Sequence, residues 1–105
     1  MPYYVYVIEL DKQVLGSKKF RMRNPKLNPK KKCFYVGQSV HTPEVRLQNH
    51  KAGYKANNFV KKYGICLRPR KYKKYNPMKT REEALDMEQY LTNKLRKKGH
   101  GVWSN

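Results

Sequence analysis

The chain has 105 residues, with 25 Lys and Arg against 7 Asp and Glu, for a formal charge of +18. That length supports one compact domain, residues 1–105, with a modest core, and leaves no room for a second. Self-repulsion on this scale costs stability, so the charge points to a polyanionic partner, nucleic acid first and an anionic membrane second. No apolar run approaches the ~20 residues of a membrane span. No basic helix with a bulky apolar face is available to lie on a bilayer. The N-terminal run, MPYYVYVIEL, lacks the basic head and small-residue cleavage site of a signal peptide. The expectation is an intracellular protein, in the cytoplasm or with the nucleoid or nucleus, not secreted and without a membrane partner.

Residues 3–10, YYVYVIEL, are β-branched and aromatic and nearly all apolar, which predicts a central strand. Residues 33–37, CFYVG, predict a second strand ending at a glycine. The stretch between them, residues 11–32, is a basic insert broken by Asn24-Pro25 and Asn28-Pro29. Its prolines and like charges predict a mobile loop, and Lys18, Lys19, Arg21, Arg23, Lys30, Lys31 and Lys32 make it a candidate arm for contacting a polyanion. Thr42 is a good helix cap with Pro43 at the first helical position, and Gly53 is a natural stop. A second short helix is predicted over 56–63, from Ala56, Phe59, Val60 and Tyr63 at helical spacing. Gly64 ends it, and residues 65–67 form a third strand.

Residues 68–79, RPRKYKKYNPMK, are basic with interleaved tyrosines. A disordered connector and a nucleic-acid-binding segment fit equally well. In the second case Arg70, Lys71, Lys73 and Lys74 neutralise phosphates beside stacking rings. The last helix opens with a capping box, Thr80 with Glu83, and runs to about residue 98 before Gly99. Cys33 and Cys66 fall in apolar runs and read as reduced, buried thiols. With His41 and His50 they lack the close ligand pairs of a structural zinc site.

One acid is out of place. Advancing about 100° per residue from Ala84 at 0°, Leu91 falls near 340°, Leu95 near 20° and Glu88 near 40°. Glu88 therefore lies in the inward stripe, while Asp86 falls on the opposite side. An inward acid must be paired, protonated or bound to a metal. A salt bridge is the commoner solution. The functional alternative is a lone ligand for a hard cation, whose shell is completed by water and phosphate. On the first helix Arg46 and His50 are four residues apart and share a face. Arg46 suits a phosphate clamp, and His50 a proton carrier or orienting group.

These residues, in this order, resemble the GIY-YIG nuclease domain family. The chain has YVYVI with Tyr6, YVG as Tyr35-Val36-Gly37, RLQNH with Arg46 and His50, Glu88 within EEALDMEQYL, and Asn105 closing GVWSN. The first motif lacks its glycine, and the basic insert separates the two tyrosines. The resemblance covers nearly the whole chain and implies a small α+β domain, a three-stranded antiparallel sheet flanked by helices. It implies a DNA endonuclease using one Mg²⁺ or Mn²⁺ held by Glu88. Tyr6 would be the general base, with its phenol pKa lowered from about 10 by nearby cations. Tyr35 would bond the phosphate or the water, Arg46 would neutralise phosphate charge, and His50 would relay the Tyr6 proton or orient the ring. Asn105 would position the Glu88 end. The products would carry a 5′-phosphate and a 3′-hydroxyl. DNA is the expected partner, RNA the alternative, and no obligate protein partner is inferred. The rival class is a non-catalytic basic DNA- or RNA-binding module. Glu88 discriminates the two, because an acid weakens polyanion binding unless a metal sits there.

Overall fold

Strand β1, Tyr4–Leu10, and strand β2, Cys33–Ser39, pair antiparallel along their whole length in the structure, a computed structural model that describes residues 2–104. The register sets Tyr6 opposite Gly37 and Ile8 opposite Tyr35. Opposite residues share a sheet face, and side chains alternate along a strand. Tyr6, Ile8 and Tyr35 therefore share one face, and Val7, Phe34 and Val36 the other. All are buried. A sheet covered on both sides explains why both strands read as continuous apolar runs rather than alternating ones.

Strand β3, Gly64–Leu67, adds antiparallel to the outer side of β1. Strand β4, Gly101–Ser104, adds parallel to β2, which gives a four-stranded mixed sheet of order β3-β1-β2-β4. The expectation of three antiparallel strands is corrected here. GVWS is too short to show a period, and its pairing partner is distant in sequence. The parallel register sets Trp103 beside Tyr35.

The basic insert is not a mobile loop. A 3-10 turn at Lys12–Gly16 and a short helix α1, Lys18–Met22, bury Val14 and Phe20 completely. Phe20 packs on Trp103 and Phe59, with ring centroids 6.4 and 5.7 Å away. Asn24, 4% exposed, accepts the backbone N–H of Val102 at 2.8 Å and so ties the insert to β4. Charge density hid this, because two apolar side chains among many lysines suffice to anchor the segment. The Phe20→Ala protein is expected to lose about 3–5 kcal/mol of stability in urea unfolding. A loss near that of an exposed substitution, within about 0.5 kcal/mol, would mean the insert contributes nothing to the core.

Helix α2, Pro43–Ala52, starts at Thr42, whose side chain accepts from Val45 N, and ends at Gly53 with φ of 85°. That left-handed conformation is easy for glycine alone. Helix α3, Asn58–Tyr63, is capped by Asn57, which accepts from the N–H groups of Phe59 and Val60. Helix α4, Arg81–Lys97, has Ala84, Glu88, Leu91, Thr92 and Leu95 buried. Its cap is Thr80, accepting from Glu83 N at 3.1 Å, while the Glu83 carboxylate returns to Lys79 N at 3.4 Å rather than to Thr80.

Residues 68–79 are ordered. Tyr72 is buried, and Asn76 uses both ends of its amide on Val5, accepting from N at 2.9 Å and donating to O at 2.8 Å. The side chain thus satisfies the part of the β1 edge that the short β3 leaves open. Cys33 is buried as expected, but Cys66 is partly exposed. Both are free thiols. No helix among the described residues is long and apolar enough to cross a membrane.

Candidate active site

The site is built around the Tyr6 hydroxyl, beneath α2. Tyr6 is 1% exposed, and its oxygen lies 3.0 Å from Nε2 of His50. The backbone N–H of Asn57 donates to Nδ1 of the same ring at 3.0 Å. A backbone N–H can only donate, so Nδ1 is an acceptor and the ring proton resides on Nε2. His50 is then the donor and Tyr6 the acceptor. Burial, with the neighbouring Arg46 charge, pushes the His50 pKa down to about 4, so the ring is neutral. In this arrangement a proton taken from Tyr6 would break the Asn57 bond.

Arg46 Nη2 sits 3.2 Å from His50 Nε2, a contact between two donors once Nε2 carries the proton, and donates to the Lys55 carbonyl at 3.2 Å. Lys55 adopts φ of 45°, uncommon for a residue with a Cβ, and turns that carbonyl toward the guanidinium. Arg46 and Tyr35 also act on the Tyr6 hydroxyl, and both favour its ionised form. His50 thus bonds the phenol oxygen, with Arg46 and Tyr35 acting on it from beside. Burial opposes them and wins, leaving the Tyr6 pKa above its ordinary 10. The expectation of a lowered value is corrected: most of the chain's cations are exposed, where solvent and salt screen them. Tyr35 is shifted up more strongly, by burial first and then by Tyr6 and Glu88.

Gly37 makes the convergence possible. A Cβ at this position would lie 2.5 Å from the Tyr6 hydroxyl oxygen and 2.9 Å from the Tyr35 ring. The Gly37→Ala protein is expected to lose about 1–3 kcal/mol through overpacking, and its Tyr6 hydroxyl must leave the His50 hydrogen bond. Thermal unfolding and the His50 ring NMR shifts check both effects.

Glu88 reaches the site from α4. It is 8% exposed, and its carboxylate has no hydrogen-bond or ion-pair partner among the described residues. Its charge bears on both phenols. Burial alone pushes its pKa up to about 7. The salt bridge that would explain an inward acid is absent among the described residues, where the ion pairs join Glu9 to Lys32 and Arg68. A buried, unpartnered carboxylate opening on a cleft with Gln89, Thr92 and Arg96 fits a single hard cation that draws its remaining ligands from water and phosphate. No cluster of three or more acidic, His or Cys ligands occurs among the described residues, so a multi-carboxylate cage does not fit.

Tyr6, Tyr35, Arg46 and His50 are thus brought into one cluster, with Glu88 within electrostatic reach. Asn105 lies outside the described residues. The basic candidates occupy the surface, Lys18 to Arg23 around α1 and Lys30 to Lys32 before β2. Arg70, Lys73 and Lys74 are exposed after β3, and Lys71 is half-buried over the Phe34 ring. Sequence reasoning missed Asn57, whose backbone sets the His50 tautomer. Its signal was legible, as a helix cap immediately before NFVKKY. The Lys55 carbonyl left no such signal.

A tyrosine-centred cluster thus lies on adjacent antiparallel strands, with an Arg–His helix above and a lone inward Glu. Residues 2–100 match the GIY-YIG catalytic domain family model, and the chain belongs to that family of nucleases. Neither a comparison with curated proteins nor one with solved structures returns a match.

Proposed function

We infer that this protein is a DNA endonuclease that hydrolyses phosphodiester bonds with Tyr6 as general base and one divalent cation, Mg²⁺ or Mn²⁺, at Glu88. The observation that carries this reading is the Tyr6 oxygen, bonded by His50 with Arg46 and Tyr35 acting on it, beside an acid that has no partner among the described residues. His50, Arg46 and Tyr35 can each donate to a phenolate at Tyr6, which makes that oxygen a preorganised proton acceptor. His50 orients the ring and stabilises its anion through Nε2–H, a role for which a neutral, Nδ1-accepting imidazole is suited. Tyr6 takes the proton of an attacking water. Arg46 offsets the charge that builds on the phosphate. Tyr35 holds the Tyr6 oxygen and, with substrate present, the phosphate. When bound, the cation supplies Lewis-acid stabilisation of the phosphate and the leaving 3′ oxygen. Asn105 is assigned to the Glu88 end on family resemblance.

The test is cleavage of supercoiled and branched DNA in Mg²⁺ or Mn²⁺, with Glu88→Ala as the control. Glu88→Ala is expected to bind DNA and not cut it. Cutting at the wild-type rate by that variant would overturn the site, and no cutting by the wild type on any substrate would favour the basic binding module, on DNA or RNA.

A further inference from the structure

A groove beside the C-terminal half of α4 is lined by Arg23, Asn24, Lys26, Arg96, Lys97 and His100. It shares Asn93 and Arg96 with the cleft that opens at Glu88, so the two adjoin along α4. Two of its arginines are fixed in place by neutral groups. Arg96 donates from Nε to Asn24 Oδ1 at 3.0 Å and from Nη2 to the Val102 carbonyl at 2.9 Å. Asn24 is itself locked, donating from Nδ2 to the Phe20 carbonyl at 2.8 Å. The Arg23 guanidinium lies 4.2 Å over the Trp103 ring, with Nη1 at 3.5 Å from the Ser104 carbonyl. Neither arginine has a carboxylate partner among the described residues. Burial and the Arg23 charge both push the Arg96 pKa down, as expected for cations gathered with no anion between them.

A staple between α4 and β4 would need a donor at Arg96 but no second cation beside it. Two guanidinia lining one groove repel each other, and the N–H groups each leaves free can turn to a phosphate oxygen. We propose that Arg23 and Arg96 clamp one backbone phosphate of a nucleic-acid strand that runs along α4 from Glu88. The proposal rests on the nuclease reading for its direction, since the strand must pass Glu88 to be cut. Glu88 and Arg96 are 96 − 88 = 8 residues apart on one helix, about 12 Å at 1.5 Å per residue. The about 3.4 Å step of a duplex is its rise along the axis, and neighbouring phosphates of one strand lie about twice as far apart through space, so the span covers about two of them. The clamped phosphate is therefore about two nucleotides from the scissile one.

Binding of a duplex oligonucleotide in chelator, measured by anisotropy across a salt series, tests the clamp without any cleavage. The Arg23→Gln/Arg96→Gln protein is expected to bind about tenfold or more weakly, with its log–log salt slope reduced by about 0.9, the value for one phosphate. Arg23→Gln alone, an exposed substitution that leaves the Asn24–Arg96 bonds in place, is expected to show most of the same loss. A wild-type slope in both folded variants overturns the clamp, whatever the protein cuts. In a substrate with a mapped cut, a neutral methylphosphonate about two linkages away is expected to slow the wild type and to have no further effect on the double variant. An equal slowing of both proteins places the phosphate elsewhere and also overturns it. Loss of the salt-slope difference bears on the clamp alone, whereas absence of Glu88-dependent cutting bears on the nuclease reading.

Discussion

In the absence of divalent cations, the Glu88→Gln protein is expected to be more stable than the wild type at pH 8 by about 3 kcal/mol, and no more stable at pH 4. The folded protein holds the Glu88 proton up to a pKa of about 7, against 4.5 for an ordinary glutamate. The folded-state value is raised, so the wild type is penalised as pH climbs from about 4.5 to 7, and the penalty is constant above that range. The interval corresponds to about 3 kcal/mol at 1.36 kcal/mol per pH unit. Glutamine keeps the shape and has no charge to desolvate, so it escapes the penalty. Urea unfolding of both proteins in chelator at pH 4, 6 and 8 measures the difference. An identical gap at pH 4 and pH 8 would show that Glu88 is not held as a strained, unpaired acid. The same substitution is expected to reduce cleavage on the order of a thousandfold, the equivalent of several kcal/mol of Lewis-acid stabilisation. A residue whose removal strengthens the fold and abolishes the chemistry is retained for the chemistry. Added Mg²⁺ is expected to stabilise the wild type at pH 8 and to leave Glu88→Gln unchanged.

The second large effect is expected at Tyr6. Tyr6→Phe removes one oxygen and strands the His50 Nε2–H in a buried site, which costs about 1–3 kcal/mol. Cleavage per folded molecule is expected to fall by about 10²–10⁴, the range for loss of a positioned general base. DNA affinity in chelator is expected to be unchanged, because the hydroxyl is buried and carries no charge at neutral pH. A purely structural Tyr6 would give the same loss of stability with cleavage per folded molecule intact. The pH profile gives an independent reading. Burial holds the phenol above its ordinary value, so the ionised fraction grows about tenfold per pH unit below its pKa. The wild-type rate is expected to rise on that slope from pH 7 upward. A rate flat between pH 7 and 9 would assign the base to another group.

Much of this site could be read directly from the chain. The runs at Tyr6 and Tyr35 are strands because β-branched and aromatic residues fit a pleated, doubly covered surface. The Thr42 and Thr80 caps and the Gly53 stop are local hydrogen-bond and backbone chemistry, and each sits where the sequence put it. Helical spacing alone turned Glu88 inward and Asp86 outward. What failed was the reading of the insert and of the short C-terminal strand. Phe20 and Asn24 acquire their roles from Trp103, Phe59 and Val102, residues distant in sequence. No local pattern encodes such partners, and dense positive charge argued for the opposite.

The sequence by itself determined which side chains could do chemistry and which element would present each one, because turn, cap and periodicity depend on neighbours in the chain. Only the tertiary structure decided their state. Asn57 donates to His50 and fixes its tautomer, Gly37 lets Tyr6 and Tyr35 approach, and burial overrides the net charge in setting the ionisation of Tyr6 and Glu88. Protonation depends on local solvation and on contacts through space, and a composition of +18 records neither.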